Sequence, residues 1–206
     1  MNRSLAKTLS VVFHPLLLPT YLFAFILYYL PVSTLSLTMQ SRWIVLAMIF
    51  FTTFIIPGVG AYAMVRVGHL SSLEMEHREQ RGLPLIFTSI CYATTAYLFY
   101  REQAFDEIFF FVMGIIALSV FITYLVSFFW KISAHGMGVG GGLGLLIMLH
   151  RVAPGTSMLP AIVAGLLISG AVLSARLALH AHTPEQVYAG FGSGLLLSVT
   201  ACYIAL

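Results

Sequence analysis

Three groups of residues in this chain have the types and spacing that phosphoryl chemistry needs. Arg176, five residues, His182, three residues and Gln186 form one group, in a stretch that also holds Ser174 and His180. A neutral imidazole is a competent nucleophile and proton carrier near pH 7. A guanidinium offers a planar fork that matches phosphate oxygens. Lys131, Ser133 and His135 form another group, in Trp130-Lys131-Ile132-Ser133-Ala134-His135-Gly136. The last is the charged run Glu74, Glu76, His77, Arg78, Glu79 and Arg81, in which Arg78 and Arg81 are three apart and would share a helical face. Gathered at one level of a membrane, Arg78, Arg81, Lys131 and Arg176 with His135 and His182 would need an anion, and phosphate fits them.

Each group also has a plain structural explanation. Thr183-Pro184 reads as a helix N-cap followed by the first helical position, and Gln186 then falls at the capping-box position. Its amide alternatively accepts a hydrogen bond from His182. Ser133 can cap a helix that begins near His135, whose imidazole would then be a satisfied polar group at a helix end. Lys131 reads equally well as an interfacial anchor. Ser71 with Glu74, closed by Gly82 and Pro84, predicts a short surface helix with Glu74 pairing to Arg78. Gly136, Gly140 and Gly144 repeat every four residues, as do Gly138 and Gly142, which predicts close helix packing.

The elements that must position these residues follow from composition. The chain has 206 residues, 60% hydrophobic and only 8% charged, with a mean hydropathy of +0.97. Soluble domains carry roughly a quarter charged residues, so an ordinary soluble domain is excluded, and so is a disordered chain. Ten cations are too few to track a nucleic acid. Cys91 and Cys202 both lie in apolar runs, which excludes a disulfide scaffold. The expected fold is all-α: a polytopic transmembrane helix bundle of six to seven spans with a short interfacial helix, one integral membrane domain over residues 1–206.

A span needs about 20 apolar residues. Seven candidates meet this loosely: Val12–Leu30, Trp43–Val65 with a kink at Pro57-Gly58, Leu83–Tyr100, Glu107–Trp130, the short and glycine-rich His135–Leu149, Met158–Leu179 and Pro184–Leu206. The opening Asn2, Arg3 and Lys7 resemble a signal-peptide start, but the run that follows is too long and contains His14-Pro15, so it reads as a retained helix. Two spans separate the charged run from Lys131, and two more separate Lys131 from Arg176. An even number of crossings returns the chain to the same face, which predicts all three groups at one membrane surface. The remaining cations divide three against three, Arg3, Lys7 and Arg66 against Arg42, Arg101 and Arg151, so charge gives no orientation.

In that order and spacing the groups resemble the membrane-bound type 2 phosphatidic acid phosphatase family. Arg176, five residues, His182, three residues, Gln186 is similar to its third motif, Ser-Arg, five residues, His, three residues, Asp. Ile132-Ser133-Ala134-His135 is similar to its second, Pro-Ser-Gly-His. Arg78, two residues, Arg81, two residues, Pro84 resembles a looser form of its first, Lys, six residues, Arg-Pro. The resemblance covers about half the chain, within residues of about 74 to 190.

It implies that His182 attacks phosphorus to form phosphohistidine and that His135 protonates the leaving oxygen. It further implies that Arg78, Arg81, Arg176 and Ser133 hold the phosphate, with Lys131 close enough to assist. The implied substrate is a lipid phosphate or diphosphate among membrane lipids, with no metal and no cofactor. The implied place is a plasma or bacterial inner membrane, with the site facing away from the cytoplasm. Gln186 stands where the family has Asp, Ser174 is one residue displaced, and the first motif lacks its Lys. A phosphotransferase using the same site, a lipid-phosphate or anion carrier without turnover, and a metal or haem protein using some of the seven histidines are the alternatives.

Overall fold

A computed structural model describes residues 1–31, 35–75, 77–153 and 155–205, apart from the side chains of residues 152 and 205. Glu76 of the charged run and Leu206 of the last predicted span lie outside the described residues. All regular structure among the described residues is helical: α1 (Arg3–Val12), α2 (Leu18–Tyr29), α3 (Met39–Phe50), α4 (Ile56–Arg66), α5 (Gly82–Arg101), α6 (Glu107–Ser127), α7 (Ala134–Val152), α8 (Leu159–Ala178) and α9 (Pro184–Ala205). A π-helical turn, Phe51–Ile55, joins α3 to α4. Five stretches are long and apolar enough to cross a membrane: Met39–Arg66, Arg78–Arg101, Glu107–Ser127, Leu159–Ala178 and Pro184–Ile204. Their outward positions carry large apolar side chains such as Leu167, Tyr203 and Ile204, which lipid accommodates and water would not. The chain is therefore built as an integral membrane protein.

The predicted first span, Val12–Leu30, holds one short helix, α2, which a turn at residues 13–17 separates from α1. Asn2 caps α1, accepting the Ser4 N–H at 3.1 Å. The helix stops at Phe13, because Pro15 has no N–H to give and disfavours helical geometry at His14. At about 1.5 Å per residue, the ten residues of α1 and the twelve of α2 are each too short for a hydrocarbon core. Two further expectations change. α7 runs on to Val152, but its glycines and polar ends keep it out of the five. The predicted surface helix is a single 3-10 turn, Arg78–Gln80, leading directly into α5. Ser71 does not cap toward Glu74; its hydroxyl and N–H both donate to Gln80 Oε1, at 2.8 and 3.2 Å.

The chain divides into two compact units, Pro19–Trp130 and Met1–Leu18 with Lys131–Leu206. In the first of these, Phe23, Phe99, Phe105 and Phe109 pack ring on ring. The kink predicted at Pro57 appears as the π turn. Pro57 cannot donate to the Thr53 carbonyl four residues back, and Tyr92 Oη donates to that carbonyl instead, at 3.0 Å. Arg42 is no surface cation. It is 1% exposed, donates to the carbonyls of Leu27 and Leu37, and so closes the C-terminal end of α2.

In the unit built from both ends of the chain, α7 and α9 run parallel with their starts side by side. Gly136, Gly140 and Gly144 of α7 meet the α9 backbone at Val187, Phe191 and Leu195, and Gly190 and Gly194 of α9 meet Ser133 and Met137 in return. Ser198 Oγ donates to the Gly141 carbonyl at 3.0 Å. The Gly138 and Gly142 row does not share this contact: Gly138 faces only the Leu18 side chain, and nothing lies near Gly142.

Candidate functional site

The starts of α7 and α9 place the second and third residue groups together. Ser133 is the N-cap of α7, its Oγ accepting the Gly136 N–H at 3.2 Å. Its own N–H donates to the Gln186 carbonyl at 3.1 Å, which ties the start of α7 to the first turn of α9. Ser133 is fully buried, so its hydroxyl serves this junction.

Gln186 does both jobs its position allows. Its Oε1 accepts the Thr183 N–H at 3.3 Å, and its N–H reaches Thr183 Oγ1 at 3.5 Å, closing a capping box. The same Oε1 lies 3.0 Å from His182 Nδ1, and the Lys131 carbonyl lies 3.2 Å from that nitrogen. Both oxygens can only accept, so the neutral imidazole carries its proton on Nδ1 and its lone pair on Nε2. A nucleophilic histidine needs this tautomer, in which Nδ1 is held by the residues that orient the ring and Nε2 carries the lone pair.

A sharp turn delivers His182 to this place. The His180 N–H donates to the Leu177 carbonyl and the Ala181 N–H to the Arg176 carbonyl, at 3.0 and 3.2 Å. This closure of α8 requires a left-handed residue, and His180 supplies it at φ 52° where glycine is usual. The His180 side chain is exposed and turns away from the cluster's chemistry, as does Ser174. His180→Gly is expected to raise stability by about 1 kcal/mol, since glycine adopts that φ without strain. Thermal unfolding in detergent reads this, and a lower midpoint would show that the imidazole makes a contact worth more than the strain.

Arg176, on the last turn of α8, donates from Nη1 to Ser10 Oγ at 3.2 Å. His135, on the first turn of α7, sits against the same residue: its Nε2 is 3.0 Å from the Ser10 carbonyl. His14 completes the cluster, its ring meeting that of His135 edge-on with centroids 5.6 Å apart. Burial and the nearby Arg176 charge push the His14 imidazole, in the turn after α1, down to about 4. His14 is therefore neutral at physiological pH. Arg176 and His182 both lie within electrostatic reach of His135.

Ser10 and His14 were not singled out from sequence. The available signal was their separation of four residues, which puts both on one face where α1 ends at His14-Pro15. Among the described residues no three His, Cys, Asp or Glu side chains come together in a way that could hold a metal ion.

Arg78 and Arg81 belong to the other unit. Arg78 donates to the Phe128 carbonyl at 2.9 Å, beyond the end of α6, and its ion pair is with Glu79 at 3.6 Å, not with the predicted Glu74. Arg81 is buried at the start of α5. The pairing at Phe128 gives Arg78 a structural task, neutralising the C-terminal end of a helix.

Four of the expected residues thus meet around one point through direct bonds: Lys131 by its carbonyl, His182, Gln186 and the backbone of Ser133. His135 and Arg176 meet each other through Ser10, and His182 lies within electrostatic reach of His135. The arrangement offers an oriented imidazole, a second imidazole and a cation held by Ser10. In comparisons with known proteins, no family model, curated protein or solved structure matches the chain.

Proposed function

We propose that the chain is a membrane phosphatase that hydrolyses a lipid phosphate or lipid diphosphate through a phosphohistidine on His182. The observation that supports this best is the double acceptor at His182 Nδ1, Gln186 Oε1 and the Lys131 carbonyl, which sets the ring's proton on Nδ1 and makes Nε2 the nitrogen with nucleophilic character. Arg176, whose charge acts on both His14 and His135, is suited to the charge on the equatorial oxygens in the transition state. In this reading the Nε2 pair attacks phosphorus and the bond to the leaving lipid oxygen breaks. That oxygen takes its electron pair and a proton from the imidazolium form of His135, which is left neutral. Water then attacks phosphorus, gives a proton back to His135, and the P–N pair returns to His182, releasing inorganic phosphate.

Arg78 and Arg81 enter the proposal from the sequence resemblance alone, as further phosphate-binding cations. α7 is counted as a sixth span. Without long loops over the site, a lipid substrate is best served by lateral entry of its tails, its headgroup meeting the residues at the starts of α7 and α9. Anion binding without turnover is the second reading. It is favoured by the neutral Gln186, which orients His182 but adds no charge when the imidazole becomes cationic.

The test is phosphate release by the full chain in detergent, with chelator, from a panel of lipid phosphates and diphosphates. The expected result is release that a His182→Ala protein lacks. Release that His182→Ala retains would end the phosphohistidine mechanism. Binding of the same lipids with no release would favour the carrier.

A further inference from the structure

Ser10 and His14 lie outside every motif that the resemblance supplies, yet they make the direct contacts to Arg176 and His135. Ser10 touches both: its carbonyl faces His135 Nε2 at 3.0 Å, and its Oγ accepts from Arg176 at 3.2 Å. It is buried, so neither contact competes with bulk water. His14 is fixed in turn, because its Nδ1 accepts the Leu16 N–H at 3.3 Å. That bond places the His14 proton on Nε2 and sets the ring plane that meets His135 at 81°.

We infer that Ser10 and His14 are positioning residues of the site, and that they commit His135 to work through Nδ1. This rests on the phosphatase reading above. A carbonyl only accepts, so the neutral His135 ring carries its proton on Nε2, facing Ser10, and its lone pair on Nδ1. The Ser10 carbonyl holds that proton whether the ring is neutral or cationic. The proton exchanged with the leaving oxygen, and later with water, therefore passes through Nδ1. The two imidazoles become complementary: His182 is held at Nδ1 and acts at Nε2, while His135 is held at Nε2 and acts at Nδ1. The His14 ring edge blocks rotation of His135 out of this orientation. The Ser10 hydroxyl accepts from Arg176 and so helps to hold the guanidinium in register with the imidazoles.

The experiment has two arms on the full chain in detergent. One reads the nitrogen shifts of His135 by NMR with 15N-labelled histidine, assigned by loss of the signal in a His135 variant. The other reads kcat and KM on the lipid phosphate that the wild-type protein hydrolyses. The wild-type His135 is expected as the Nε2–H tautomer. His14→Ala should shift His135 toward a mixture of tautomers and lower kcat about tenfold, less than the roughly 10²-fold or more that complete loss of a proton donor costs. His14→Phe, which restores a ring edge, should recover most of both. Ser10→Ala keeps the carbonyl, so it should leave the His135 tautomer alone and raise KM severalfold through Arg176.

A wild-type His135 found as the Nδ1–H tautomer overturns the inference, as does a His14→Ala protein with unchanged shifts and unchanged kcat. If His14→Ala does not fold, the Phe and Ser10 variants carry the same comparison. A wild-type protein with no His182-dependent release would instead sink the phosphatase reading, while the NMR arm still decides how His135 is held.

Discussion

Gly140→Ala is expected to lower the unfolding midpoint in detergent by roughly 6–12 °C, whereas Gly142→Ala, half a helical turn away, should leave it unchanged or raise it slightly. A Cβ at Gly140 would stand 2.1 Å from the Phe191 carbonyl oxygen, 2.9 Å from its carbon and 3.0 Å from its Cα. All three atoms are backbone, so no rotamer change relieves the contact, and α7 and α9 must separate. Overpacking of a tight contact costs typically about 1–3 kcal/mol, and a backbone-on-backbone clash sits at the upper end. At Gly142 nothing lies within 4 Å, so alanine there meets no neighbour and gains about 0.5–1 kcal/mol of helix propensity. Gly194→Ala should behave like Gly140→Ala, its Cβ falling 2.2 Å from the Met137 carbonyl oxygen. Equal midpoints for Gly140→Ala and Gly142→Ala would mean that the two helices are not in backbone contact.

The consequence for function is direct. The α7–α9 contact brings Ser133 N–H to the Gln186 carbonyl and the Lys131 carbonyl to His182. Prising the helices apart at Gly140 should therefore disturb the His182 tautomer as well as stability.

These glycines also show how far the sequence could be read. The spacing by four announced a close helix contact, and for Gly136, Gly140 and Gly144 it did so correctly. It announced the same for Gly138 and Gly142, where Gly138 meets only the Leu18 side chain and Gly142 meets nothing within 4 Å, because periodicity names a face but not the partner that covers it. Helical periodicity and capping rules placed the starts of α7 and α9 within one residue, since Ser133 and Thr183-Pro184 act locally.

Hydropathy failed at the first predicted span for a related reason. A window average passes over His14-Pro15, whose effect depends on one missing N–H and a local backbone clash. That break makes α1 a separate helix and sends Ser10 and His14 to the imidazoles, so the residues the motifs did not name are the ones a single proline redirected. Arg42 was equally illegible. Composition treats it as an interfacial cation, but helix ends leave carbonyls unsatisfied, and a nearby guanidinium can be buried to meet them. The charged run misled in the opposite sense: Ser71 and Glu74 have capping-box spacing, yet Gln80 takes the Ser71 hydroxyl and N–H, and the described residues of the run show one helical turn, Arg78–Gln80.

The largest effect on activity is expected at His182 and its acceptor. His182→Ala should remove turnover altogether, since the proposed phosphohistidine forms on that imidazole and His135 is assigned to proton transfer. Gln186→Leu should cut turnover by about 10²-fold, the scale on which mis-set acid–base groups act. It removes one of two acceptors at Nδ1, the Lys131 carbonyl remaining, and also opens the capping box at Thr183.

Gln186→Asp is expected to leave turnover intact or raise it. A carboxylate near a helix N-terminus is favourable, and it stabilises the cationic imidazole that an amide cannot. Gln186→Glu keeps the full reach of the side chain and is the cleaner comparison. A hydrogen bond to a charged acceptor exceeds a neutral one by about 1 kcal/mol, which corresponds to about fivefold in rate. Initial rates of phosphate release for the four variants against wild type make the measurement. If both acidic variants are slower than wild type while Gln186→Leu is slowest, the site is tuned to a neutral amide. If Gln186→Leu turns over like wild type, the His182 tautomer is not set by Gln186, and the Lys131 carbonyl alone orients the nucleophile.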